Sequence, residues 1–130
     1  MTRKFEDIVA WQKAHEFVRA VYAITSNFPK EELFALTSQF RRAAVSIASN
    51  IAEGYKKQGK MDKLRFYNIS QGSLEECRYY ILLSRDLGFI STEVFQSLNE
   101  KIGLTSWYIN KYADSTNQGK GVIDNIPLND

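Results

Sequence analysis

One stretch of the sequence, residues 33–55, constrains the fold more than any other. It reads LFALTSQFRRAAVSIASNIAEGY, and Phe40, Ala44, Ile47 and Ile51 recur in it at spacings of four, three and four. That spacing places the four side chains on one face of an α-helix. A second stripe of small or polar residues runs beside them and consists of Gln39, Ala43, Ser46, Asn50 and Glu53. Because small side chains let another helix approach closely, we expect one long helix with neighbours on more than one side.

Apolar residues at helical spacing recur in three further segments around this stretch. The predicted helices cover about residues 6–26, 31–56, 61–87 and 91–114. Pro29 separates the first two helices, since the residue before a proline disfavours helical geometry, while Gly88 is the expected cap of the third and Ser91 of the fourth. The pattern predicts an all-α, single-domain protein, an up-down-up-down antiparallel four-helix bundle. Residues 115–130 are expected to form a flexible C-terminal tail.

The cysteine content and the apolar runs indicate where such a protein resides. Cys77 is the lone cysteine, so an internal disulfide is excluded, and this usage is typical of a reducing compartment. No apolar run approaches the roughly 20 residues that a membrane-spanning helix requires. The basic residues at the start are not followed by the apolar core of a signal peptide. We therefore expect a cytoplasmic protein with no membrane partner.

Candidate catalytic and metal-binding residues are scarce. His15 is the only histidine, and Gln12 stands three residues before it, whereas a di-iron bundle needs Glu-x-x-His pairs. Cys77 falls on the apolar stripe of the third helix, where a free cysteine behaves as a small hydrophobe. A Cys–His nucleophile pair therefore requires Cys77 to meet His15 in space. Glycine-rich phosphate loops are absent from the sequence, so we expect no enzyme, no metal and no cofactor.

Polar residues on the second and third helices form another group of candidates. The group consists of Arg41, Arg42, Asn50, Glu53, Ser73 and Glu75. Since buried charges require partners, we expect an Arg–Glu pair between the two helices. We interpret the group as a structural polar network that fixes helix register. The alternative is a ligand site built from the same residues.

Charge is unevenly distributed, although the net charge is only +2. Residues 1–65 carry twelve Lys or Arg against seven Asp or Glu, a balance of +5, and the remainder carries five against eight, a balance of −3. The densest basic cluster, opposed by a single aspartate, consists of Lys56, Lys57, Lys60, Lys63 and Arg65. Such a cluster indicates either a nucleic-acid-binding surface or a solvated turn between two helices.

Aromatic residues exceed what the core of one small bundle needs. The surplus consists of Trp11, Tyr79, Trp107 and Tyr108, with Leu82 on the more polar side of the third helix. Trp and Tyr are enriched at subunit interfaces, so we expect a homo-oligomer. Scattered surface aromatics are the alternative, since single exposed apolar residues are common.

Three segments resemble one protein family: FEDIVAWQKA near the start, TSQFRRAAVSIASNIAEG in the centre, and GSLEE in the third helix. They resemble the small bacterial four-helix-bundle proteins encoded by intervening sequences within 23S ribosomal RNA genes. That family is related to the accessory variability protein of diversity-generating retroelements. The resemblance covers about residues 5–112, and it identifies no residue as catalytic. The matching signature residues are Arg41, Arg42, Ser49, Asn50, Glu53, Gly54, Gly72, Ser73 and Glu75.

The resemblance also implies an assembly and partners. It implies a barrel-like homopentamer with a basic surface and, for the retroelement relatives, binding to nucleic acid and to a reverse transcriptase. For the intervening-sequence members it implies no settled role. Five copies of residues 56–65 on one ring would bind phosphates with salt-sensitive affinity. We therefore expect a non-enzymatic homo-oligomer that binds RNA or DNA, including RNA–DNA hybrids, or acts as a chaperone. The alternative is a scaffold that docks another protein on the ring.

Overall fold

The computed structural model describes residues 4–119, and within them the chain forms four long α-helices and no β-strand. The helices are α1 (Val9–Thr25), α2 (Ser38–Lys56), α3 (Lys60–Asp86) and α4 (Thr92–Asn117). Each helix lies beside two others, because α1 and α3 both pack against α2 and α4. The predicted all-α, up-down-up-down four-helix bundle is thereby confirmed.

The apolar seam of α2 lies at the centre of the core. Phe40, Ala44, Ile47 and Ile51 are fully buried, as their spacing predicts. The other three helices contribute the fully buried residues Phe17, Val21, Leu74, Ile81, Leu98, Ile102 and Ile109. A hydroxyl that enters this core is satisfied, since Ser70 Oγ donates to the Ile47 carbonyl at 2.8 Å. The sequence periodicity therefore identifies which face of each helix is buried.

The expected uninterrupted second helix, beginning near residue 31, is wrong in its first turns. Lys30–Glu32 forms a 3₁₀ turn, and Leu33–Thr37 forms a wide π-helical turn. Within that turn Ala35 leaves the helical region, with φ −123° and ψ −107°. The regular helix α2 begins only at Ser38.

Local hydrogen bonding and burial explain this irregular start. The Glu32 carboxylate accepts a hydrogen bond from the Leu36 backbone N–H at 3.3 Å, and so it satisfies a donor that has no partner in the first turn of a helix. The wide turn keeps Leu36 and Thr37 buried while leaving 91% of the Phe34 side chain exposed. Periodicity alone does not reveal this turn, because Leu33, Leu36 and Thr37 have the spacing of a regular helix.

The ends of α1 and α4 also differ from the predicted ones. α1 starts at Val9, since Phe5–Asp7 forms a separate 3₁₀ turn. α4 continues to Asn117, so residues 115–117 are helical rather than part of a tail. Thr116 is buried there, and its hydroxyl donates to the Tyr112 carbonyl at 3.1 Å. The rest of the predicted tail, residues 120–130, lies outside the described residues.

Both predicted caps of the α3–α4 connection are confirmed. Gly88 has φ +76°, a left-handed conformation that glycine adopts readily. The following Phe89 N–H donates to the Ser84 carbonyl at 2.9 Å, which closes the end of α3. At the start of α4, the Ser91 hydroxyl accepts from the Val94 N–H at 3.1 Å.

Candidate nucleic-acid interface

A close contact between α2 and α3 positions the basic connection that joins them. A Cβ atom added to Gly54 would lie 2.6 Å from Tyr67 Cε1 and 2.9 Å from Phe66 Cβ. The two helices therefore meet where α2 has no side chain. α2 ends at Lys56 and α3 begins at Lys60, so this contact holds the basic residues together at one end of the bundle.

Lys63 binds the end of α2. Its Nζ donates to the carbonyl of Tyr55 at 2.6 Å and to that of Gly54 at 3.4 Å. A cation at this position complements the partial negative charge at a helix C-terminus. Partial burial lowers the pKa of Lys63. Of the five predicted nucleic-acid-binding residues, Lys63 is thus the one whose ammonium group is bound to the backbone at the end of α2.

Phe66 lies beneath two of the other basic residues. The Arg65 guanidinium is 4.6 Å and the Lys57 Nζ is 5.0 Å from the centre of its ring. Arg65 also forms an ion pair with Asp62 at 3.6 Å, between two side chains that are more than half exposed. An exposed ion pair of this kind contributes only about 0–1 kcal/mol, so both cations remain available to an anionic ligand.

Lys60 and Lys56 complete the basic end. Lys60 Nζ donates to the Asn117 carbonyl at 3.3 Å, which brings the end of α4 to the same place. Within residues 4–119, Lys56 is exposed, and its side chain has no hydrogen bond or ion pair to another described residue. The structure therefore gathers all five predicted residues at one end of the bundle, and four of them present their charge near the surface.

An apolar groove that the sequence analysis missed begins beside Lys56. It has a volume of about 760 Å³ and lies between α1 and α2, and its charged lining residues are Lys4, Glu6, Glu53 and Lys56. Its apolar lining includes Phe5, Trp11, Val18, Val45, Ala48 and Ala52. The available signal was the helical spacing of Val45, Ala48 and Ala52, a third stripe on α2 outside the two that the sequence analysis considered.

The structure brings together two members of the predicted polar network. Asn50 Nδ2 donates to the Ser46 carbonyl at 2.8 Å and to its hydroxyl oxygen at 3.0 Å. The Ser46 hydroxyl also forms a 2.7 Å hydrogen bond with the hydroxyl of Ser73. This chain connects α2 to α3 through Ser46, a residue of the small stripe that was not assigned to the network.

The expected Arg–Glu pair between α2 and α3 is wrong. Arg41 lies on the side of α2 that faces α1, where its Nε donates to Thr25 Oγ1 at 2.8 Å. Its guanidinium also lies 4.6 Å from the centre of the Tyr22 ring. Glu75 pairs with Arg78 of its own helix at 3.2 Å.

Two further members of the predicted network stay apart from it. Arg42 and Glu53 are exposed, and the structure gives neither of them a hydrogen bond or ion pair to another described residue. Their charges therefore need no partner inside the bundle, because water solvates them.

The structure does not bring Cys77 and His15 together as a catalytic pair. Cys77 is fully buried in the core, and burial raises the pKa of its thiol. His15 is exposed on α1 and stacks on the Trp11 ring at 4.8 Å. Among residues 4–119 no group of three or more His, Cys, Asp or Glu side chains is placed to hold a metal ion. None of the helices described is both long and apolar enough to cross a membrane.

Comparison with known proteins identifies a family and solved structures of similar fold. The model of the family described as 23S rRNA-intervening sequence protein matches residues 6–111. A crystal structure from Bacteroides thetaiotaomicron, of a protein of unknown function from the S23 ribosomal protein family, is similar with a TM-score of 0.72 and 22% identity. The match covers 80% of this chain and 97% of that chain, and at this identity it shows the fold alone. No curated protein matches the chain.

Proposed function

Because this chain belongs to the 23S rRNA-intervening sequence protein family, a family whose description names no enzymatic activity, we propose that it is a non-enzymatic, homo-oligomeric protein that binds RNA or RNA–DNA hybrids through the basic end of its bundle. The observation that carries the proposal is the grouping of Lys56, Lys57, Lys60 and Arg65 around the α2–α3 connection. Contacts from such side chains to phosphates set the position of a nucleic acid but do not read its bases. We therefore expect binding with little sequence preference.

The geometry around Phe66 supports phosphate binding. Its ring lies under Lys57 and Arg65 and limits the conformations that the two long side chains sample. Among the described residues, Arg65 has only the exposed Asp62 as a counter-ion, and a phosphate replaces such a partner at little cost. Neutralising several phosphates releases condensed counterions, which makes the affinity fall steeply with salt.

Exposed apolar side chains on α3 and α4 support assembly into a ring. Tyr79 and Leu82 on α3 are 56% and 40% exposed, and Leu104 and Trp107 on α4 are 46% and 53% exposed. Contact between two such faces of neighbouring copies generates a closed ring when the rotation closes. The family resemblance suggests five copies. In a ring the basic ends of all copies lie on the same side, so a modest patch becomes a continuous positive surface.

The proposal is tested by fluorescence anisotropy with labelled single-stranded RNA, duplex DNA and an RNA–DNA hybrid at low and near-physiological salt. The variant carries Lys56→Glu, Lys57→Glu and Lys60→Glu, and it keeps Lys63 because that side chain binds the end of α2. We expect the charge reversals to weaken binding by at least about tenfold and to flatten its salt dependence. Unchanged binding by this variant overturns the assignment of the basic end.

A matched control reverses the same number of charges elsewhere. Arg19, Lys30 and Lys101 are exposed, and no ion pair connects them to another described residue. The variant with Glu at these three positions has the same net charge as the first and is expected to bind nearly as well as the original chain. An equal loss in both variants would show that net charge, not the basic end, governs binding. Circular dichroism establishes that both variants are folded.

A second candidate function is a protein-docking scaffold, favoured by an apolar tip at the opposite end of the bundle. Phe34 is 91% exposed there, beside the connection of α1 to α2, and Leu33 and Leu87 are about half exposed. In the retroelement relatives the resemblance implies a reverse transcriptase as the docked protein. A partner retained from nuclease-treated lysate by the original chain, but lost from Phe34→Glu, would favour the scaffold over nucleic-acid binding.

A further inference from the structure

The groove between α1 and α2 exposes apolar surface that the described part of the chain leaves uncovered. Val45 is 41% exposed on its wall, and the ring of Trp11 lies at one side, 5.1 Å from that of Phe5. Ala48 and Ala52 line it with side chains too small to fill it. Covering apolar surface stabilises a protein by roughly 25 cal/mol per Å², so a groove of about 760 Å³ favours an apolar occupant.

The chain leaves the bundle close to the mouth of this groove. Lys60 Nζ holds the Asn117 carbonyl at 3.3 Å, so α4 ends at the basic end, where Lys56 forms part of the groove rim. Gly119 has φ +74° and ends the helical path of the backbone. Since α4 packs against α1, the chain beyond Gly119 starts one helix away from the groove.

The remaining sequence is long enough to reach the groove. Residues 120–130 read KGVIDNIPLND, eleven residues, and an extended chain spans about 3.3 Å per residue. Packed helices lie about 8–10 Å apart, so Ile126 and Leu128 are within reach of the α1–α2 groove after crossing the end of the bundle. Pro127 disfavours helical geometry at the residue before it, which suits an extended segment.

The chemistry of the segment matches that of the groove. Val122, Ile123, Ile126 and Leu128 are apolar, and Asp124 stands among them. Most of the groove lining is apolar, and its charged residues are Lys4 and Lys56 together with Glu6 and Glu53. The match is therefore between apolar side chains, because two lysines and two glutamates in the lining leave no net charge that would favour Asp124.

We propose that residues 122–128 of this chain bind in the α1–α2 groove of the same copy. In this arrangement Ile126 and Leu128 would fill the space over Ala48 and Ala52. This inference does not depend on nucleic-acid binding, because the groove and the segment are both present in the protein alone.

Disulfide trapping tests the proposal directly, because the sequence has a single cysteine, the buried Cys77, and its replacement by Ala removes the competing thiol. In the Cys77→Ala background, Ala52→Cys combined with Ile126→Cys is expected to form an intramolecular disulfide in most chains under mild oxidation. Gln96→Cys, an exposed position near the start of α4, combined with Ile126→Cys is the control and is expected to remain reduced. Trapping only between copies, or equally in the control, overturns the proposal.

Tryptophan fluorescence provides a second test without added cysteines. In a Trp107→Phe background, Trp11 is the only tryptophan and lines the groove. Replacing Ile126 and Leu128 with Asp is expected to shift its emission to longer wavelength, as deletion of residues 120–130 is expected to do. Replacing Asn125 and Asn129 with Ser is expected to leave the emission unchanged. Identical spectra for the original and the double-Asp protein would overturn the proposal.

Discussion

At the residue scale, the missing side chain of Gly54 determines how closely α2 and α3 pack, and local hydrogen bonds determine which lysines are available to a ligand. Gly54 has no side chain, and this lets Tyr67 and Phe66 approach the backbone of α2. The Lys63 ammonium group donates hydrogen bonds to carbonyls at the end of α2, so it is less available to a ligand. Lys56, a few residues earlier, remains exposed. Two lysines that look equivalent in the sequence therefore have different roles.

Replacing Gly54 with Ala is expected to lower the free energy of unfolding by about 1–3 kcal/mol, the range for overpacking a well-packed site. The added Cβ would lie 2.6 Å from Tyr67 Cε1, closer than carbon atoms normally approach. Gly72→Ala is the control, because Gly72 is exposed within α3 and a Cβ there meets nothing within 4 Å. It is expected to raise stability by roughly 0.5–1 kcal/mol. Urea denaturation measures both, and changes of the same sign would contradict the packing argument.

At the element scale, polar contacts set the pairing of the helices around an apolar core. α2 is joined to α3 through the hydroxyls of Ser46 and Ser73 and to α1 through the contact of Arg41 with Thr25. Apolar packing tolerates small shifts of one helix along another, whereas a hydrogen bond has a narrow range of distance and angle. These contacts therefore specify register in addition to stability.

A double-mutant cycle of Ser46→Ala and Ser73→Ala is expected to give a coupling energy of about 0.5–1.5 kcal/mol, the net value of one hydrogen bond. Ser46→Ala is expected to cost more than Ser73→Ala, because Asn50 also donates to Ser46. A cycle of Ser46→Ala with Ser106→Ala on α4, whose side chains share no hydrogen bond, should give a coupling near zero. Thermal or urea unfolding supplies the four stabilities, and equal coupling in both cycles would refute the hydroxyl link.

At the scale of the whole molecule, different parts of the surface have different chemical character. Cations gather around the α2–α3 connection, Phe34 forms an apolar tip at the other end, and Trp107 and Leu104 lie exposed on the side of α4. In the proposed assembly the sides of the bundle would contact other copies, and its ends would contact other partners. This division is the basis for proposing a ring that binds nucleic acid on one side.

Trp107→Glu is expected to reduce the mass measured by light scattering toward that of a single chain. Trp107 is 53% exposed on the side of α4. In the proposed ring, the introduced carboxylate would be buried against a neighbouring copy, and a buried charge without a partner of opposite charge destabilises the contact. Phe34→Glu is the control, because it places the same charge at the tip and not on the side of the bundle. It is expected to leave the mass unchanged, and if only this control dissociates the oligomer, the side of α4 is not the interface.

The sequence predicted the parts of this protein that depend on local periodicity. The four buried residues of the α2 seam and the caps at Gly88 and Ser91 follow from spacing and backbone preference, which act within a few residues. The family likeness of residues 5–112 was also readable from the sequence and is confirmed over residues 6–111. The same reasoning missed the wide turn at Leu33–Thr37, because the spacing of Leu33, Leu36 and Thr37 is that of a regular helix.

The sequence by itself thus determined the class of fold, the buried face of each helix and the grouping of basic residues along the chain. Only the tertiary structure decided that Arg41 contacts Thr25 rather than a glutamate, that Lys63 binds the end of α2, and that α1 and α2 enclose a groove. The physical reason is that spacing defines which way a side chain points from its own helix. Its partner depends on which neighbouring helix lies in that direction, and three-dimensional packing decides this.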